Sequence, residues 1–270
     1  MRTVLAATAL AVALSTVVST ALSVPAASAP VAGDPAATPP TPAPAQRGTA
    51  SGYHYGATFT QVLTGVPSRG LRATFTVHRP GQVKGGKGQH SIGQIAVADY
   101  ETRAFVEAGW RRYVDGPRLF VFWRPADGSD RCYNFGCGFK DRGKGIRPNS
   151  QLKPGSTITI GFKFSNRKWW LMVNGKKSGF YPARLWDGTF TRSDYSSIFG
   201  EVYVNPSQPL CADMGNGKRA KRKSAAKVRK VAFYGGPPVE LSVSPHSDQQ
   251  NYSVKLTGSN SFRYGGPGVC

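Results

Sequence analysis

The segment Thr157-Ile158-Thr159-Ile160-Gly161-Phe162-Lys163-Phe164 alternates polar and apolar residues almost without fault. A period of two means a strand with one wet face and one buried face. Leu71 to His78 and Tyr252 to Leu256 repeat the pattern, and Leu119 to Trp123 (LFVFW) is apolar on both faces, as expected of a central strand. Trp169 to Val173 and Lys176 to Tyr181 are joined by Asn174-Gly175, a pair suited to a tight two-residue hairpin turn. Glycine-rich joints at 81–88, 143–145, 235–236 and 265–266 punctuate the remainder. Past residue 29 no segment carries a convincing helical period, and only Pro182 to Trp186 suits a single turn. Many short strands between turn signals predict an all-β fold, an antiparallel β-sandwich, as one domain over residues 51–270.

The first residues are of another kind. Met1-Arg2, the apolar run Val4 to Val18 and the small residues around Ala27-Ser28-Ala29 read as a secretory signal peptide over residues 1–29. Residues 30–50 are rich in proline and alanine and cannot build a core; they form a linker or a short pro-segment. The mature protein is expected to be secreted, extracellular and monomeric, with no membrane attachment once the signal is removed. Four cysteines fit export, and four permit three pairings. The favoured pairing is Cys132–Cys137 with Cys211–Cys270, which ties the C-terminus to the domain. A zinc site is the rival, but the histidines (His54, His78, His90, His246) are scattered and no second close cysteine pair exists.

The net charge is +21, from 35 Lys and Arg against 14 Asp and Glu. The densest run is Lys218-Arg219-Ala220-Lys221-Arg222-Lys223, continuing through Lys227, Arg229 and Lys230. Behind a signal peptide the plain reading is a solvated basic edge. The sharper one is a footprint for an anionic polymer, such as cell-wall teichoic acid or extracellular DNA.

In so basic a chain the glutamates are informative. There are four, Glu101, Glu107, Glu201 and Glu240, and two of them lie inside apolar runs. Alternation puts Phe105, Glu107 and Gly109 on one face of a strand, with Val106, Ala108 and Trp110 opposite. It likewise puts Phe199, Glu201 and Tyr203 on one face, with Gly200, Val202 and Val204 opposite. The plain reading of a strand glutamate is a cross-strand ion-pair partner. The alternative is that the two share a cleft. There, burial and like charge hold one protonated as general acid and leave the other ionised as general base. That division suits hydrolysis by an activated water and calls for no metal and no cofactor.

Several blocks follow one another in a telling order: Glu107-Ala108-Gly109-Trp110, Pro117 to Trp123, Cys132 to Phe139, Lys168-Trp169-Trp170-Leu171, Gly179-Phe180-Tyr181-Pro182, Phe199-Gly200-Glu201-Val202, Asp213 to Gly217 and Tyr264 to Gly268. Together they resemble the neprosin family, secreted glutamic peptidases that cleave after proline. The resemblance implies a concanavalin-like or glutamic-peptidase-like jelly roll, with catalytic glutamates on one sheet at Glu107 and Glu201. Some members carry Gln at the first position; this chain has Glu.

Aromatic residues are the candidate substrate-binding groups. Trp110, Trp123 and Trp170 offer flat faces for a proline ring, and Tyr203 shares the face of Glu201. The plain reading is that tryptophans fill the core, and alternation already sets Trp110 opposite Glu107. Asn134 and Tyr133 read as turn residues. No G-x-S-x-G or comparable signature supports serine catalysis. The expected activity is therefore a proline-directed glutamic endopeptidase favoured by acid. The rivals are a glycoside hydrolase using the same carboxylates and a noncatalytic module that binds wall polymers or polyanions.

Overall fold

The computed structural model of the chain describes residues 53–62, 66–81, 90–124, 132–143, 145–204, 209–244, 247 and 250–269. The segments expected to be signal peptide and linker lie outside the described residues. Among those described, the strands in chain order are β1 (Tyr53–Val62), β2 (Gly70–Thr76), β3 (His90–Ala98), β4 (Phe105–Tyr113), β5 (Gly116–Arg124), β6 (Cys132–Tyr133), β7 (Lys140–Asp141) and β8 (Thr157–Ser165). They continue with β9 (Lys168–Val173), β10 (Lys176–Pro182), β11 (Tyr195–Val204), β12 (Ala226–Phe233), β13 (Ser242–Val243), β14 (Ser253–Gly258) and β15 (Ser261–Gly265). A single 3-10 turn, Ala183–Trp186, follows β10.

These strands form two antiparallel sheets, the all-β sandwich that the alternation predicts. One has seven strands in the order β13-β1-β11-β3-β4-β5-β6, and the other has eight in the order β14-β15-β12-β2-β8-β9-β10-β7. The β9–β10 hairpin turns through Asn174 and Gly175, both at positive φ (48° and 79°), which is why that pair occupies the turn. The strand read as central, β5, is flanked by β4 and only the two-residue β6. Its double apolarity has a different cause. Leu119, Val121 and Trp123 enter the core, while Phe120 and Phe122 face outward over the opposite side of the sheet.

The core lies between the sheets and is dense in aromatic rings. Trp169 stacks on Phe190 at 4.5 Å, and Trp186 meets both Phe190 and Trp123 edge-on at 5.2 Å. Three indole N–H groups find backbone carbonyls: Trp169 to Phe190, Trp186 to Arg124 and Trp123 to Cys137, at 2.7 to 2.8 Å. Satisfied donors of this kind offset the cost of burying large amphipathic rings, whereas Nε1 of the fully buried Trp110 donates to no group. Beneath the middle of the seven-stranded sheet, Gly93 of β3 pairs with Gly200 of β11. A Cβ on Gly200 would stand 2.4 Å from the ring of Tyr264, and one on Gly93 2.5 Å from its hydroxyl. The bare backbone lets this fully buried tyrosine lie directly under β3 and β11. Among the described residues there is no free cysteine. The expected pairings involve Cys132 and Cys270, whose side chains lie outside the described residues.

Candidate active site

The site is built on β4, β3 and β11, side by side in the seven-stranded sheet. On β4, Val106, Ala108 and Trp110 are fully buried in the core, so Phe105, Glu107 and Gly109 face the other way. On β11, Ile198, Val202 and Val204 enter the core and leave Phe199, Glu201 and Tyr203 on that same open face. The two apolar half-strands are what force both carboxylates outward onto one surface.

Register then places them. Glu107 lies opposite Ala96 of β3, and Glu201 lies opposite Ile92 of β3. Gln94 stands between these two on the central strand, opposite Gly109 on one side and Phe199 on the other. Glu107, Gln94 and Glu201 therefore run in one diagonal line, with about 7–8 Å between successive Cα atoms. Gly109 makes this possible, because a Cβ there would stand 2.6 Å from the Cβ of Gln94. Along this line the two acids flank Gln94, one on each side.

The electrostatics differ at the two ends. Burial, and then the charge of Glu201, push the Glu107 carboxyl up to about 8 from an ordinary 4.5. Glu201 is buried more fully than the half-buried Glu107, and its Oε1 lies 2.8 Å from Nε2 of His90. The His90 ring is in turn held by stacking on Tyr203, with centroids 5.4 Å apart and planes within 22°. An imidazole N–H donated to Glu201 favours its charged form. Gln94 is 2% exposed, and its Oε1 accepts no hydrogen bond. Among the described residues no three His, Cys, Asp or Glu side chains form a cluster that could hold a metal ion.

Aromatic side chains wall the open face. Beside Glu107, Phe105 and Tyr195 form a small apolar cluster with Ala98, against which Tyr100 and Phe122 pack. Farther along β4, Arg111 lies in the row of Ile92 and Glu201. Its guanidinium sits 5.3 Å over the rings of both Tyr113 and Tyr133.

A model of the Neprosin family matches residues 87–267. The chain belongs to the neprosin family. Family and two-sheet architecture together mark a fold of the glutamic-peptidase type. Among solved structures, this neprosin-family chain is similar to scytalido-glutamic peptidase with a peptide-based transition-state analogue, at 8% identity and a TM-score of 0.44, over 80% of this chain and 100% of that one. It is similar to SCP-B, a member of the Eqolisin family of peptidases in complex with the tripeptide Ala-Ile-His, at 8% identity and a TM-score of 0.44, with the same coverages of 80% and 100%. A tetrameric galectin from the ball sponge Cinachyrella sp. matches at 14% identity and a TM-score of 0.37, over 66% of this chain and 99% of the galectin. None of these likenesses carries a residue's role across.

Of the residues singled out in the sequence, the structure brings Glu107, Glu201 and Tyr203 onto one face and leaves the tryptophans elsewhere. Trp110 is fully buried behind Glu107, and Trp123 packs in the core against Tyr181 and Trp186. Trp170 belongs to the other sheet, on its outer side, beneath Lys168 and Lys177. None of the three lines the open face, because the sandwich interior and the lysine stems bury these large rings first. Tyr133 is also more than a turn residue: it stacks on Phe120 at 5.6 Å and its hydroxyl bonds to that of Tyr113. Asn134 does hold a turn, exchanging two bonds with the backbone of Val121. Sequence reasoning missed Gln94, His90 and Arg111. The signal for Gln94 was present, as a lone amide in the apolar run Ile92-Gly93-Gln94-Ile95-Ala96-Val97.

Proposed function

We propose that this neprosin-family chain is a glutamic endopeptidase that cleaves after proline, with Glu107 as general acid and Glu201 as general base. The observation that carries the reading is the unequal pair: a carboxyl raised to about 8 at one end of the line, and a carboxylate bound to His90 at the other. In the first step Glu201 takes a proton from a water as its oxygen bonds to the scissile carbonyl carbon. The carbonyl electrons move to oxygen, giving a tetrahedral oxyanion. The Gln94 amide, lying between the acids, is placed to donate to that oxyanion. As the C–N bond breaks, Glu107 gives its proton to the departing nitrogen. Transfer of the proton from Glu201 back to Glu107 restores the starting state. The apolar cluster around Phe105, Phe122 and Tyr195 supports a proline seat beside the acid, in place of the tryptophans.

The test is cleavage of a fluorogenic proline-containing peptide by purified protein from pH 3 to pH 9, alongside Glu107→Gln and Glu201→Gln. Cleavage after proline that disappears in both variants is the expected result. Undiminished cleavage in either variant sinks the two-glutamate mechanism, and equal cleavage of a peptide with alanine in place of proline sinks the specificity.

A further inference from the structure

The eight-stranded sheet carries a pattern that the peptidase reading leaves unused. Seven of its strands, β2, β8, β9, β10, β12, β14 and β15, contain no Asp or Glu. On β12 and β15 the core takes Ala226, Val228, Phe262 and Tyr264, so Lys227 and Arg263 face outward. Lys227 pairs directly with Arg263, and Arg263 pairs directly with Lys255 of β14. Like charges set opposite one another across strands destabilise a sheet. Three in one row, with no carboxylate among them, is a cost without a structural return. The three ion pairs among the described residues, His90–Glu201, Arg118–Asp115 and Arg147–Asp141, use none of these cations. Arg263 Nε is buried and donates to nothing.

The basic loop seen in the sequence joins this row. It is fixed against the sheet edge: the Ala220 N–H donates to Ser253 Oγ of β14 at 2.7 Å, and Arg219 donates to the Gln250 carbonyl. Lys223 shares a cleft of about 320 Å³ with Lys227, Arg229 and Arg263. A second cleft, of about 510 Å³, is lined by Lys218, Arg219, Lys221 and Arg222. Hydroxyl groups stand among the cations. Thr257 and Ser261 line the smaller cleft, and the exposed Arg229 pairs with Thr74 on β2.

We propose that this outer face, from the 218–223 loop across β12, β15 and β14, is a docking surface for a linear phosphodiester polymer without bases, of the polyol phosphate type. Arg and Lys interleaved with Ser and Thr is the donor set that contacts phosphate oxygens. Single-stranded nucleic acid would also need open aromatic faces on which bases stack. Phe262, which lines the smaller cleft, is fully buried, and other rings on the outer side of this sheet are covered by cations. Arg72 and Lys163 lie over Tyr234, and Lys168, Lys177 and Arg142 lie over Trp170. The surface reads charge and leaves bases without a platform. It is separate from Glu107 and Glu201, which belong to the other sheet, so it stands whether or not the chain is a peptidase.

The experiment measures binding of three probes to the full chain at 50 and 200 mM salt: poly(glycerol phosphate), poly(dT) and polygalacturonate. The triple variant Lys227→Ser/Lys255→Ser/Arg263→Ser is measured beside the parent. Poly(glycerol phosphate) should bind tightest, with affinity falling steeply as salt rises. In the variant the slope of log affinity against log salt should shrink by about 2, for three lost phosphate contacts, and affinity at 50 mM should fall by about 10² to 10³. The variant's thermal midpoint should stay level or rise, because opposed like charges are gone; this separates a lost site from a lost fold. The exposed single variant Arg229→Ser should shrink the slope by about 0.7. Tighter binding of poly(dT) or polygalacturonate, or an unchanged slope in both variants, overturns the proposal.

Discussion

The two sheets spend their charge in opposite ways. The seven-stranded sheet puts two glutamates and a glutamine on one face, in a basic protein, with Glu201 and Gln94 buried and Glu107 half-buried. The eight-stranded sheet sets cation against cation on its outer face, in contact with water. In the first setting a charge is felt strongly by its neighbours, because little solvent screens it, and the Glu107 carboxyl rises to about 8. In the second, salt screens each charge within about 10 Å, and effects accumulate only over many groups. A few buried polar groups suit chemistry, and a field of exposed ones suits adhesion to something long.

Substitutions should separate the two regions by size of effect. Glu201→Gln or Glu107→Gln should lower kcat/KM for a proline peptide by about 10² to 10⁴, the range for losing a general acid or base. Steady-state kinetics would show it, and a loss under tenfold would remove that residue from the chemistry. Gln94→Leu keeps the volume and deletes the amide. It should cost about 10² in kcat with little change in KM, in the manner of a lost oxyanion donor; a rise in KM alone would make Gln94 a substrate-binding group instead.

The next effect is on stability. In the folded chain Glu107 holds its proton more tightly than in the unfolded chain, so the folded state binds more protons between the ordinary 4.5 and about 8. Stability attributable to this group is full below that window and declines as pH rises through it. Chemical denaturation of the parent and of Glu107→Gln across pH 4 to 9 should show the decline in the parent and its absence in the variant. If Glu107 is the general acid proposed above, peptide cleavage should also fall above about pH 8 as it ionises. Gly200→Ala should lower stability by about 1–3 kcal/mol, since its Cβ would meet the Tyr264 ring at 2.4 Å. Smallest of all, Lys177→Ser on the outer sheet should change the unfolding free energy by no more than about 0.5 kcal/mol.

Much of this arrangement was legible in the residues. Period two in Thr157 to Phe164 gave the sandwich, and Asn174-Gly175 gave its hairpin. Glu107 and Glu201 stood out because a carboxylate inside an apolar run has to face something other than the core. What alternation could not supply was register. His90 meets Glu201, and Gln94 stands between the acids, only because β3 pairs with a strand about a hundred residues later in the chain. Such long-range pairings leave no local trace. The tryptophans show the converse limit: ring size announces burial, but Trp110 and Trp123 went to the interior, and Trp170 went under lysines of the far sheet.

The central position of β3 has one more consequence. Its partner β4 follows directly in sequence, but β11 is synthesised roughly a hundred residues later, and closing so long a loop is slow. Until β11 arrives, Glu107 has no distant companion and His90 has no carboxylate. A nascent or truncated chain therefore holds an incomplete set of parts, and the constellation of Glu107, Gln94, Glu201 and His90 exists only once β11 has paired with β3 and closed the seven-stranded sheet.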